Sequence, residues 1–122
     1  MIKNYTLPFI IIIFLTFGFS NSRPYQLNYI DQYCILAIKE MNRSGIPASI
    51  ILAQAIVESD CGNSKLARSS NNHFGIKCKS YWQGGKYYHK DDDYNSKGKL
   101  IKSCFRAYPD AIDSYVDHTE FL

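Results

Sequence analysis

Three glutamates occur after the first few residues of the chain, Glu40, Glu58 and Glu120, and only Glu58 stands where its chemistry would change. It follows the apolar run Ile50, Ile51, Leu52, Ala53, Ala55, Ile56 and Val57, broken only by Gln54, at the end of what reads as a buried helix. Burial and the negative end of a helix dipole both favour the protonated carboxyl. A carboxylic acid kept protonated near neutral pH can give its proton to a leaving oxygen, which is what glycosidic cleavage requires. The other reading is a helix-terminal glutamate held by local hydrogen bonds. Glu40 and Glu120 have charged or polar neighbours and read as members of solvated faces.

Cysteines and aromatics supply the remaining chemistry. Cys34, Cys61, Cys78 and Cys104 are an even number in a small chain, as in disulfide-braced exported domains. Cys78 and Cys104 flank one β-rich segment, so that pair is expected to be bonded, closing about 27 residues and stabilising by roughly 3.5 kcal/mol in a chain-entropy estimate. Cys34 and Cys61 form a second bridge or remain free. No two cysteines are close enough for a zinc knuckle, and no metal or cofactor is expected. Trp82, Tyr87, Tyr88 and Tyr94 cluster in the same segment, and aromatic faces suit the apolar faces of sugar rings. Trp82, Tyr88 and Tyr94 are candidate groove residues, with core packing as the alternative.

These groups need elements to place them. Ile30, Tyr33, Cys34, Ala37, Ile38 and Met41 recur at the spacing of one helical face, predicting an amphipathic helix over Asn28–Arg43 that ends near Gly45. Pro47 suits the first turn of a second helix reaching about Ser59, whose nearly all-apolar surface predicts a central position. Gly62 can stop it in a left-handed conformation, and Ser64 can cap a short third helix through Arg68. Asn71 and Asn72 give a turn and Phe74–Cys78 an extended segment. Gly84 and Gly85 then suggest a hairpin joining Tyr81 and Trp82 to Tyr87 and Tyr88. A second hairpin joins Asp93 and Tyr94 to Ile101–Phe105 through a turn at Asn95–Gly98. Pro109 and Asp110 start a last helix carrying Ile112, Tyr115, Val116 and Thr119. The fold class is α+β, mainly α, with a small β-hairpin lobe.

The chain has 122 residues, 46% hydrophobic and 20% charged, which places it among small globular domains. Lys3, the apolar stretch Leu7–Phe19 and the small residues Ser20 and Ser22 have the layout of a secretory signal over residues 1–22. About 13 apolar residues span only about 20 Å as a helix, too short for a stable membrane anchor. The expected product is an exported, monomeric domain over residues 23–122. Lys and Arg outnumber Asp and Glu by 14 to 11, too small an excess to point to nucleic acid.

The stretch IPASIILAQAIVESDCGNSKLARSSNNHFGIKC, Ile46–Cys78, resembles the core signature of the glucosaminidase domains of glycoside hydrolase family 73. KSYWQGG, DDDY and CFRAYPDAIDSYVDHTEFL continue the likeness, which covers roughly residues 27–122. It implies a lysozyme-like helical domain and hydrolysis of the β-1,4 bond between N-acetylglucosamine and N-acetylmuramic acid within peptidoglycan glycan strands. It places the catalytic acid on Glu58 and gives Asn72 and Phe74, within the NN-x-FGIK element, to the sugar groove. Asp60 and Cys61 depart from the usual residues of the motif. The nearest match to a second, water-activating carboxylate is Asp93 before Tyr94, with Asp91 and Asp92 adjacent. The substrate's own acetamido group is the alternative nucleophile.

Similar domains continue past the EFL element with a further aromatic segment, so the resemblance implies that Leu122 stops short of it. The leading expectation is an endo-β-N-acetylglucosaminidase. The rivals are a muramidase or lytic transglycosylase, a catalytically silent peptidoglycan-binding module, and a disulfide-braced structural protein.

Overall fold

A computed structural model describes residues 23–122, so the expected signal segment lies outside the described residues. Four helices and one β-ribbon follow in the order α1 (Arg23–Ser44), α2 (Ala48–Ser59), α3 (Lys65–Ser70), β1 (Gly85–Tyr94), β2 (Leu100–Ala107) and α4 (Ala111–Phe121). The expected α+β class, mainly helical with a small β-lobe, is the observed one.

Helix α1 begins before Asn28 because Pro24 is tolerated in a first turn, while Tyr25 and Leu27 are exposed and leave no core periodicity to mark the extension. Its inward stripe is also rotated from the one hydropathy suggests. Tyr29, Ala37 and Glu40 are buried and Tyr33 and Leu36 pack on the core, whereas Ile38 is exposed. A tyrosine and a carboxylate on the seam carry too little hydropathy to reveal it.

Glu40 corrects the expectation of a solvated face. Only 4% exposed, it accepts hydrogen bonds from Arg43 Nη2 at 2.6 Å and from Thr119 Oγ1 at 2.6 Å, and so joins α1 to α4. Burial pushes its carboxyl up, but the bonds from Arg43 and Thr119 outweigh that and hold it below the usual glutamate range.

Helix α2 follows Pro47, whose carbonyl accepts from the N–H groups of Ile50 and Ile51. It is not central all round as expected. Ile51, Ala55 and Ser59, four residues apart, form the buried stripe, while Ile50 and Val57 are 49% and 77% exposed. The core holds Tyr29, Ala37, Ile51, Ala55, Phe74, Ile76 and Tyr115. Ile112 lies outside it, half exposed on α4.

The β-lobe is a single ribbon. Antiparallel β1 and β2 run in register from Gly85 opposite Ala107 to Lys90 opposite Lys102, with an irregularity before Tyr94 meets Leu100. The hairpin turn at Asn95–Gly98 is the one expected, closed by Asn95 and Lys99. The hairpin expected at Gly84 and Gly85 does not form. Tyr87 and Tyr88 belong to β1, and Trp82 packs before the strand begins. Residues 76–78 lie beside β2 through the bridge between Lys77 and Phe105 and the Cys78–Cys104 disulfide, the pair favoured from the sequence. Cys34 and Cys61 are free thiols.

Candidate active site

Glu58 owes its place to the way α2 ends. Ser59 completes the buried stripe and donates its hydroxyl to the Ala55 carbonyl, so Glu58, one residue earlier and about 100° round the helix, faces outward. The chain then takes three successive left-handed residues, Asp60, Cys61 and Gly62, with φ of 50°, 54° and 78°. Asp60, not Gly62, is the C-cap. Gly62 is needed for a second reason, because a Cβ there would lie 3.3 Å from the His73 ring and 3.4 Å from that of Tyr29. Ser64 caps α3 as expected by accepting from the Ala67 N–H.

The Glu58 carboxylate lies over Gly75, where an added Cβ would sit 3.7 Å from Oε2. Gly75 has φ of 65°, so glycine there serves the backbone conformation. Together Glu58, Ser64, Lys65, Gly75, His89 and Asp91 wall a cleft of about 260 Å³, backed by Phe105 and Leu66. Glu58 is exposed in this cleft, contrary to the desolvated setting read from its apolar neighbours. A carboxyl group at the mouth of a cleft can reach a bound molecule, whose own surface then displaces the water around it.

Asp93 is held differently from Asp91. Its carboxylate accepts from Lys77 Nζ at 2.7 Å and from the Ser103 hydroxyl, and these bonds keep it below the usual carboxylate range. Asp91 lines the Glu58 cleft and lies 3.4 Å from Lys77 Nζ. Thus the structure brings Asp91, rather than the expected Asp93, to the cleft. The irregular register between Lys90 and Tyr94 breaks the alternation that would otherwise put both on one face.

Asn72 is turned to the protein itself, and Phe74 lines a neighbouring cavity of about 300 Å³ rather than the Glu58 cleft. The Asn72 amide donates to the carbonyls of Ile76 and Arg106, each at 2.9 Å, and its oxygen accepts from the N–H groups of Phe74 and Ile76. All of its capacity is used internally, which makes it the clasp of the loop carrying Gly75. Phe74 is buried, stacked on His118 at 3.8 Å and edge-on to Tyr115.

The three candidate groove aromatics do not line the Glu58 cleft either. Phe105 faces the cleft, so its neighbour Arg106 faces the other side of the ribbon, where Trp82 covers its guanidinium at 4.5 Å. The indole N–H of Trp82 donates to the Gly85 carbonyl, and the ring borders a separate cavity of about 430 Å³ with Tyr108 and Asp117. Tyr88 stands opposite Cys104 on the face away from His89, and Tyr94 is exposed near the hairpin turn.

Three sets of residues escaped the sequence reading. His89 shares the cleft face with Asp91, two positions along the strand, a spacing that could have revealed it. Behind Glu58, Tyr29 Oη lies 2.6 Å from His73 Nδ1 and 2.8 Å from Tyr115 Oη. Burial raises Tyr29 to about 12 and lowers His73, so the network is neutral and pins α1, the 71–76 loop and α4 together. Arg106 donates twice to Asp117 and once to the Lys77 carbonyl, fixing the base of the ribbon to α4. These partners are far apart in sequence and carry no local signal.

A helical domain with an acid at the end of its second helix, facing a small β-lobe across a cleft, has the lysozyme-like arrangement. The family described as mannosyl-glycoprotein endo-beta-N-acetylglucosaminidase matches residues 34–122, and the chain belongs to this glucosaminidase family. It is 42% identical over 75 residues to exo-glucosaminidase LytG of Bacillus subtilis, covering 61% of this chain and 26% of LytG. It is 30% identical over 99 residues to peptidoglycan hydrolase FlgJ of Escherichia coli K12, covering 77% of this chain and 32% of FlgJ. The chain thus spans about a quarter to a third of the length of these relatives. Among solved structures it resembles the catalytic domain of the Listeria monocytogenes autolysin Auto, with a TM-score of 0.69 and 25% identity, covering 84% of this chain and 59% of that one. The glycoside hydrolase domain of Salmonella typhimurium FlgJ gives 0.63 and 26%, covering 79% and 59%.

Proposed function

We propose that the protein is a peptidoglycan hydrolase, an endo-β-N-acetylglucosaminidase that cleaves the β-1,4 bond between N-acetylglucosamine and N-acetylmuramic acid outside the cytoplasm. The observation that carries this reading is Glu58, exposed in a cleft at the end of α2, in a chain that belongs to a glucosaminidase family. Glu58 donates the proton to the leaving oxygen once the sugars cover it and its carboxyl is protonated. Asp91 is the carboxylate on the opposite wall, placed to orient water or to stabilise positive charge at the reacting carbon. Asp93 acts through Lys77, which it shares with Asp91, and is a positioning residue. A second cavity shares Gly75 with this cleft and offers room for a neighbouring sugar of the polymer.

Mass spectrometry of digested peptidoglycan tests this directly. Fragments with N-acetylglucosamine at the reducing end are expected. Anhydromuramic ends would instead identify a transglycosylase, reducing N-acetylmuramic acid a muramidase, and an undigested wall that still binds the protein a silent binding module.

A further inference from the structure

The Glu58 cleft and the neighbouring cavity of about 300 Å³ share Gly75 as a common wall, and their charges differ. The first holds two carboxylates, Glu58 and Asp91, against one lysine, Lys65, with His89 beside them. The second has no carboxylate side chain among its lining residues but carries Lys77, Lys79 and His118. Lys77 is engaged by Asp93 and Asp91. Lys79 is exposed, has no carboxylate within 4 Å among the described residues, and sits 5.8 Å from the centre of the Phe121 ring. His118 lies flat on Phe74, and its buried Nδ1 has no hydrogen-bond partner among the described residues. The second cavity therefore combines an unpaired ammonium, a half-exposed aromatic face and a buried polar ring.

We infer that this cavity receives the carboxylate-bearing sugar of the glycan, with Lys79 as the charge that recognises it and Phe121 as the apolar surface beneath the ring. The inference rests on the glycan-hydrolase reading and adds the direction in which the polymer lies. An anionic sugar is less favoured beside Glu58 and Asp91, which outnumber Lys65, than beside Lys79, so the two cavities accept an alternating neutral and acidic polymer in one orientation. The carboxylate belongs either to the lactyl ether of N-acetylmuramic acid or to the stem peptide attached to it.

The test uses the full chain carrying Glu58→Gln, which leaves the bond intact, with and without Lys79→Glu. Affinities are measured for three probes: a peptide-free tetrasaccharide of alternating N-acetylglucosamine and N-acetylmuramic acid, the same tetrasaccharide bearing stem peptides, and chitotetraose, which is neutral. Lys79→Glu should weaken the peptide-free acidic probe roughly tenfold at low salt and chitotetraose less than twofold. A loss confined to the peptide-bearing probe would assign the carboxylate to the peptide and keep the site. Equal affinities of both variants for all three probes, or no measurable binding of the acidic probes, overturns the inference. Reducing-end release by the parent chain is followed separately. A parent that releases none while the Lys79-dependent preference persists would end the hydrolase reading and leave the acidic-sugar site standing.

Discussion

Glu40 and Glu58 occupy neighbouring helices and have opposite fates. Glu40 is buried and bonded to Arg43 and Thr119, whereas Glu58 is exposed at a cleft and forms no ion pair among the described residues. Apolar company suggests the reverse assignment for each. The difference shows that the position of a carboxylate on its helix matters more than the hydropathy of the helix. Glu40 falls on the stripe of Tyr29, Tyr33, Leu36 and Ala37, and the fold supplies its partners. Glu58 falls one residue before the stripe of Ile51, Ala55 and Ser59 and is left free for a ligand. One carboxylate is used for cohesion, and the other is the one proposed for chemistry.

The largest effect should come from Glu58→Gln, which keeps the shape and removes the transferable proton. Reducing-end release from peptidoglycan should fall by roughly 10² to 10⁴, with the melting temperature nearly unchanged. Retained activity would break the comparison on its catalytic side. Glu40→Gln should do the opposite. Arg43 is half exposed, so the loss should be roughly 2 kcal/mol, below that for a fully buried pair, and should lower the melting temperature by roughly 10 °C. Activity per folded molecule should be unchanged.

Acid should reproduce that loss in the parent. The folded carboxyl of Glu40 is held below its unfolded value, so its contribution is complete above the unfolded value of about 4.3 and disappears as pH falls through the folded one. Melting curves between pH 3 and 6, on a scale set by that ~4.3 reference, should converge for parent and Glu40→Gln at the acid end. Curves that stay parallel would remove Glu40 from the cohesive role.

The next effect separates the two aspartates. Asp91→Asn should reduce turnover about tenfold or more, and Asp93→Asn only a few-fold because it acts through Lys77. The reverse order would return Asp93 to the reacting centre. Asp60→Gly should be the smallest change, a gain of about 0.5–1 kcal/mol from relieving a left-handed aspartate, with digestion unaltered. A loss of stability there would mean that the Asp60 side chain holds the end of α2.

Much of the frame was legible before the structure. The ends of α2, the Ser64 and Asp110 caps, the Asn95–Gly98 turn and the Cys78–Cys104 bridge depend on residues near in sequence or on few alternatives. Glu58 was legible as a candidate because it ends an apolar run. Its exposure was not, since Ile50 and Val57 share that solvent-facing side and hydropathy alone does not tell it from a core. Asn72 looked like a sugar contact because its motif lies beside the acid, but four internal hydrogen bonds claim its amide. Trp82 looked free because its partner Arg106 is 24 residues away. The Asp91 and Asp93 assignments turned on a strand irregularity that no residue in the DDDY run announces.

The β-ribbon is clamped at one end by the disulfide between Cys78 and Cys104, the Lys77–Phe105 bridge and the Arg106–Asp117 pair, and so behaves as a cantilever. At about 3.3 Å per residue, Asp91 lies no more than about 10 Å beyond the clamp at Tyr88, and the Asn95–Gly98 turn, counted along β2 from Cys104 to Lys99, about 17 Å. A tilt of about 10° at the root would carry the turn about 3 Å but Asp91 by less than about 2 Å, on strand geometry alone. Leverage of this kind would let the outer ribbon shift while Asp91, close to the root, keeps its place in the Glu58 cleft.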